Sequence, residues 1–439
     1  MDRRTFLTLT GAGLAAAWSR AASVALPGGK SSDDDFLDEL QRRCFSYFLE
    51  RTDGGTGLTL DRGCIDGSPY TLDDRPTGSV TVTGFGLAAF CLASERGWIS
   101  RGDAAERVRT TLRFFAWRAP QERGWFYHWM HVRAGTRAAA FSQRGELSEV
   151  STIDTALLLA GVLTARQCFW DDREIGELAD AIYRRVDFRW MLEPRSLNLR
   201  HGWTPESGFI PYRWDEYSEA SVLYLLAIGA PANAIPAAAW YSWKRNPNQY
   251  GDYRYVGVVP PFAYQYSHAF VDFRGRRERT GVDWFQNSVT ATRAHRQFCV
   301  DLGPRYPGYT SDIWGVTPSR SVYGYTDWGG PPMDPRIDGT VVPAAPGGAL
   351  MLAPDICLPA LRALTARYGE RIFCRYGFTD SFNPRTGWVS PDVTGLNLGI
   401  ILLSAENLRS GNLWRWFMAN PEPRRALDLA GLPAKAGAP

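Results

Sequence analysis

Strongly apolar helices that alternate with amphipathic ones predict an all-α protein, a double-layered helical barrel of the (α/α)6 type. Three observations carry that expectation. Residues 79–96 read as a nearly all-apolar helix and 102–117 as an amphipathic one, and the succession returns at 151–170 with 173–186 and at 215–228 with 234–245. An all-round apolar helix belongs to an inner layer and an amphipathic one to an outer layer. No fixed-period repeat runs through the chain, as an open solenoid would require, and strand-like alternation is confined to short pieces such as 253–259.

Taken in order, 34–51 reads as an amphipathic helix with Phe36, Leu37, Leu40, Cys44, Phe45 and Phe48 on one face. The pairs named above follow, and then helices at 282–300, 347–368, 394–406 and 410–418. Between them lie long loops rich in Trp, Tyr, Gly and Pro, at 123–141, 194–213 and 306–340. Loops of that length inside a domain usually serve a function.

The first residues carry a twin arginine, Arg3-Arg4, ahead of a short apolar run from Phe6 to Trp18 and an alanine-rich stretch. This is the pattern of a twin-arginine export signal. Residues 1–30 are therefore expected to be signal and linker, the export machinery a partner of the precursor, and the mature protein periplasmic or secreted. The apolar run falls short of the ~20 residues that cross a bilayer, so no membrane span is expected in the mature protein. No Pro- or Gly/Ser-rich linker divides 31–439, which is expected to be a single barrel domain.

Composition narrows the chemistry. A net charge of +3 without a basic stripe argues against a nucleic-acid partner. The seven cysteines are scattered and form no C-x-x-C pair, so neither a disulfide framework nor a zinc site is indicated. Gly329-Gly330 and Gly347-Gly348 lack the phosphate-loop pattern, and no Gly-x-Ser-x-Gly elbow occurs. No cofactor and no metal are expected. Aromatic residues make up 13% of the chain, with 17 tryptophans, many of them in loops. Neutral rings beside carboxylates suit stacking on sugars, and packing under a loop is the competing reading for each.

The acids come from two stretches, 214–228 (WDEYSEASVLYLLAI) and 145–163 (GELSEVSTIDTALLLAGVL). In the first, Glu219 shares helical spacing with Val222, Leu223 and Leu226 and so points inward; its bland alternative is a buried pair with Arg213. Asp215 and Glu216 read as helix-start residues. In the second, Asp154 shares a stripe with Leu157, Leu158 and Gly161, although Ser151 to Asp154 is also a capping-box pattern. Gln265, His268 and Asp272 fall on one face if their segment is helical; a polar network is favoured there over a metal site.

Several ordered motifs resemble the bacterial glucoamylase-like domain family, which includes endo-acting β-1,2-glucanases and domains of cyclic β-1,2-glucan synthases. They are EVSTIDTALLLAGVL, WTPESGFIPYRWDEYSEASVLYLLAIGAP, FAYQYSHAFVDFRG, WGVTPS, DGTVVPAAPGGAL, YGFTDSFNPRTGWV and ENLRSGNLW, spread over about 34–420. The resemblance implies an (α/α)6 glycoside hydrolase acting on a β-glucan, with carboxylates in a central cleft. Carried over by position, Glu219 becomes the essential acid, and Glu149 and Asp154 match an acidic helix-start motif. Trp203, Arg213, Tyr217, Gln265, His268, Trp314, Asp338, Trp388 and Asp392 become candidate sugar-binding residues. One departure stands out: Asn397-Leu398-Gly399 occupies the place where Asp-Gln-Gly is expected, with Asp392 the possible substitute. The expected function is an exported hydrolase of a β-glucan, with β-1,2 linkage favoured. The alternative is a glycan-binding or glucan-assembly protein on the same barrel, catalytically weakened.

Overall fold

The computed structural model describes residues 32–69, 76–139, 146–257, 260–331 and 336–434. The expected export signal, residues 1–30, lies outside the described residues. The helices in chain order are α1 (Asp33–Arg51), α2 (Val80–Glu95), α3 (Arg101–Trp117), α4 (Thr152–Cys168), α5 (Arg173–Arg185), α6 (Phe188–Met191), α7 (Ser221–Gly229), α8 (Tyr266–Phe270), α9 (Trp284–Asp301), α10 (Ala344–Gly347), α11 (Pro354–Tyr368), α12 (Gly395–Arg409), α13 (Asn412–Ala419) and α14 (Pro421–Leu429).

Six of them close an inner ring, in which α2 packs on α4, α4 on α7, α7 on α8 and α12 back on α2. α10 completes it: a Cβ on Gly348 would meet the Gln265 side chain beside α8, and one on Gly347 would meet Ile401 of α12. The outer layer is α1, α3, α5, a 3-10 turn at Ala237–Tyr241, α9 and α11. This is the (α/α)6 barrel. The tightest contact in the ring is between α2 and α4, where a Cβ on Gly161 would stand 2.1 Å from the Gly84 carbonyl oxygen. Two glycines there let the backbones touch, which no side chain would allow.

Every inner helix follows an outer one, so the inner helices run in the same sense and their N-terminal ends gather at one end of the barrel. Short two- and three-stranded ribbons decorate that end, among them 59–60, 77–79 and 129–131 in one sheet and 150–151, 202–204 and 208–209 in another. The opposite end is closed by α13 and α14. The Trp414 indole donates to the His268 carbonyl at 2.6 Å, the Asn420 amide donates to the Leu163 carbonyl at 3.0 Å, and Arg425 donates to the Ala230 carbonyl at 2.7 Å. The Trp414 and Arg425 donors satisfy carbonyls at the C-terminal ends of α8 and α7, and Asn420 ties the closing helices to the last turns of α4.

The pattern of inner and outer helices follows the sequence closely, with three differences. The helix expected from 215 begins only at Ser221, and Asp215 and Glu216 pair with Lys244 at 3.1 and 3.4 Å instead of capping it. The helix expected at 234–245 is reduced to the 3-10 turn, because Pro231 and Pro236 break the run around it. The helix expected at 347–368 begins only at Pro354 as α11, and the short α10 ends at Gly347 ahead of it. α14 carries no sequence expectation.

Candidate active site

The N-terminal ends of α2, α4, α7, α8 and α12 surround one polar centre. Glu219 stands two residues ahead of α7, so its inward aim comes from the chain's approach to that helix and not from the helical stripe. Ser267, on α8, fixes that approach: its hydroxyl donates to the Glu219 carbonyl at 2.6 Å and accepts from the Val222 amide at 2.9 Å. The Glu219 carboxyl group forms no side-chain hydrogen bond or ion pair among the described residues; the alternative partner, Arg213, is turned to the Pro211 carbonyl and toward Glu193. Burial raises the Glu219 carboxyl to about 7, opposed by its own backbone amide and helped by the charge of Asp154.

Asp154 sits on the first turn of α4 and is buried. The Ser151 hydroxyl caps the helix by accepting from the Asp154 amide at 3.4 Å. The Asp154 carboxylate itself accepts from the Thr81 hydroxyl and the Ser151 hydroxyl, each at 2.5 Å, and faces the His128 ring nitrogen Nε2 at 3.2 Å. The other ring nitrogen, Nδ1, lies 3.3 Å from Glu149. Burial alone would lower the His128 pKa; Asp154 and the bond and charge of Glu149 outweigh it and raise it to about 9. Burial would likewise raise Glu149, and His128 holds it below the usual carboxylate range.

Across the centre, Asp380 is buried and accepts from the Arg320 amide at 2.7 Å and from the Asn397 side-chain amide at 2.8 Å. Burial raises its pKa against those donors. Tyr266, at the head of α8, has its phenol pushed far up by burial and then by Tyr325, Glu219, Asp380 and Asp154, which places these groups within electrostatic reach of one ring. One site thus gathers a Glu219 carboxyl raised by burial, a Glu149 carboxyl lowered by His128, and a His128 ring raised by its two carboxylate neighbours.

The remaining expected residues divide. Asp392 is buried beside the centre and paired with Arg320, the residue that also binds Asp380, so its charge is already matched. Tyr217 is buried, stacks on Trp284 at 4.9 Å and shares a hydrogen bond with Ser288; its phenol is raised by burial and by Glu219 nearby. Gln265 is buried and donates to the Ala345 carbonyl at 2.9 Å, joining α8 to α10. His268 bonds Ser288 at 2.8 Å, burial lowers it to about 3, and Asp272 turns away to Arg274, so the three do not form one face. Trp314 is buried at 1% exposure and Asp338 closes a turn with the Thr340 amide. Trp203 packs on Trp190 at 5.4 Å, and Trp388 pairs with Asn383 in a ribbon; both remain partly exposed.

His128, Thr81, Tyr266 and Asp380 were not expected from the sequence. Asp380 lies inside the YGFTDSFNP motif, which is the signal for it. Nothing local marks His128, because its place depends on pairing of 129–131 with 77–79 and on the bond from its amide to the Glu149 carbonyl, 2.9 Å.

Residues 211–421 match the Glycoamylase family model, described as "Putative glucoamylase". The chain is 27% identical over 430 residues to an exo β-1,2-glucooligosaccharide sophorohydrolase of Parabacteroides distasonis, covering 90% of this chain and 58% of that protein. The chain therefore spans less than two thirds of that relative's length. The endo-β-1,2-glucanase of Chitinophaga pinensis, solved with sophorotriose and glucose, superposes with a TM-score of 0.84 at 25% identity, over 92% of this chain and 99% of that one. A β-1,2-glucanase of Parabacteroides distasonis gives 0.82 at 25% identity, over 91% of this chain and 60% of that one. Residues 211–421 thus resemble a glucoamylase-like domain, and the described chain shares the (α/α)6 barrel of the solved endo-β-1,2-glucanase.

Proposed function

We propose that the protein is an exported glycoside hydrolase that cleaves a β-glucan, with β-1,2-linked chains as its substrate class. The observation that carries this is Glu219, a carboxyl group without a side-chain partner among the described residues, raised by burial to about 7, in a site where His128 holds Glu149 below the usual carboxylate range. Hydrolysis of a glycosidic bond needs that division: an acid that protonates the leaving oxygen, and a carboxylate that deprotonates water or attacks carbon. Glu219 gives its proton to the glycosidic oxygen as the C1–O bond breaks. A carboxylate of the His128 cluster takes a proton from the water that bonds to C1; that carboxylate then releases its proton to solvent while Glu219 recovers one from solvent. The β-1,2-glucan activities of the relatives support the substrate class, and the twin arginine supports export.

A second reading rests on Asn397. Its amide donates to Asp380 at the head of α12, where the resembled family is expected to hold an acid. On that reading the barrel binds β-glucan without turning it over. Incubating the purified protein with linear β-1,2-glucan and a panel of other β-glucans, and following reducing ends, separates the two. Release that is lost in Glu219→Gln supports the hydrolase; binding without release by the wild type supports the other.

A further inference from the structure

His128 is none of the expected catalytic residues, yet its ring is held between two carboxylates. Glu149 lies at one nitrogen and Asp154 at the other, at 3.3 and 3.2 Å. One face of the imidazole lies flat against the Trp129 indole, with centroids 3.6 Å apart and planes at 14°. A flat stack beneath a cation is attractive, and it prevents the ring from turning out of line with its two acceptors. The backbone fixes the residue as well: its amide donates to the Glu149 carbonyl at 2.9 Å, and its carbonyl accepts from the Val80 amide at 3.2 Å. The ring is therefore held from four directions.

Two acceptors on opposite nitrogens have a chemical meaning. A neutral imidazole donates from one nitrogen only, so one of the two carboxylates would then face a lone pair. The imidazolium donates from both. We propose that His128 is a positioning residue, a fixed imidazolium between Glu149 and Asp154 that keeps Glu149 ionised and so leaves Glu219 as the site's proton carrier. The idea rests on the hydrolase reading for its catalytic meaning, whereas the charge on the ring does not depend on it. The charge of Asp61, between the strands 59–60 and 62–64, adds to the positive state of His128. Arg137 acts on Glu149 in the same sense as His128. Asp154, the anchor on the far side, is the carboxylate that also acts on Glu219. Three donors reach Asp154, from Thr81, Ser151 and His128, while His128 is the side chain bonded to Glu149. A lost His128 therefore falls hardest on Glu149.

The first test is nuclear magnetic resonance of the full chain with labelled histidine, the His128 signal being assigned by its absence in His128→Gln. The expected result is an imidazole still protonated at pH 8. A ring that loses its proton below pH 7 overturns the proposal, whether or not the protein hydrolyses anything. The second test labels the glutamate side-chain carboxyls and compares wild type with His128→Gln: the Glu149 carboxyl should titrate about one unit or more higher in the variant, and an unmoved titration overturns the clamp. The third is the pH profile of kcat/KM on β-1,2-glucan. The variant should lose about tenfold or more, with the acidic limb moved up; a uniform loss with both limbs in place marks a merely structural histidine and overturns the proposal. A wild type without hydrolysis but with a charged His128 fails the hydrolase reading and leaves the clamp intact.

Discussion

Two glutamates, one fully buried and one half-buried, show how differently one protein treats the same side chain. Glu406, on α12, is 0% exposed and is met by the Gln41 amide at 3.0 Å, by two Arg96 nitrogens at 3.1 and 2.8 Å, by the Ser410 hydroxyl at 2.6 Å and by the Asn412 amide at 2.8 Å. Glu219 is only partly covered and has no such company. A buried charge must be paired and bonded or give up its ionisation. Glu406 takes the first course and becomes a joint between α1, α2 and α12. Glu219 takes the second and keeps a proton that it is able to give away.

Exchanging each for glutamine should separate the two roles. Glu219→Gln removes the proton donor and should cut kcat/KM by about 10²–10⁴-fold with the fold retained by circular dichroism; full activity would end its assignment as the acid. Glu406→Gln leaves Arg96 facing a neutral partner and should cost about 3 kcal/mol in denaturant unfolding, while the folded fraction keeps its kcat. Equal losses of activity in the two variants would erase the contrast.

The pH dependence of stability gives a finer distinction. The Glu219 carboxyl is raised from 4.5 to about 7 on folding. Below 4.5 it is protonated in both states; between 4.5 and 7 the unfolded chain loses the proton that the folded one keeps, so stability falls as pH rises and levels off above 7. Glu219→Gln should remove that slope, raising stability at pH 8 by about 1 to 2 kcal/mol and hardly at all at pH 4. The smallest effect belongs to Ser267→Ala, which unties the Glu219 carbonyl and the Val222 amide. A stability loss of about 1 kcal/mol is expected, with a several-fold fall in kcat and little change in KM. Threonine at 267 should restore most of both.

Much of the barrel was legible because α2, α4 and α12 are apolar on every side and α1, α3 and α5 on one face, so each layer is written in its own periodicity. The inner positions of α8 and α10 were harder, since five- and four-residue helices offer too few turns for a pattern. Glu219 and Asp154 stand out as acids at the borders of apolar runs. Asp392 and Gln265 look similar in a string of letters, and only the fold shows that one is matched by Arg320 and the other joins two helices. His128 was out of reach from sequence, because its chemistry is made by partners 21 and 26 positions further along the chain and by a strand pairing that no local spacing encodes.

The sealing of the far end by α13 and α14 governs traffic. Their packing on the C-terminal ends of α4, α7 and α8, with Trp414 buried among them, leaves the ribbon-bearing end as the side from which the half-buried Glu219 meets solvent. On the hydrolase reading, substrate and product would meet Glu219 from that same end.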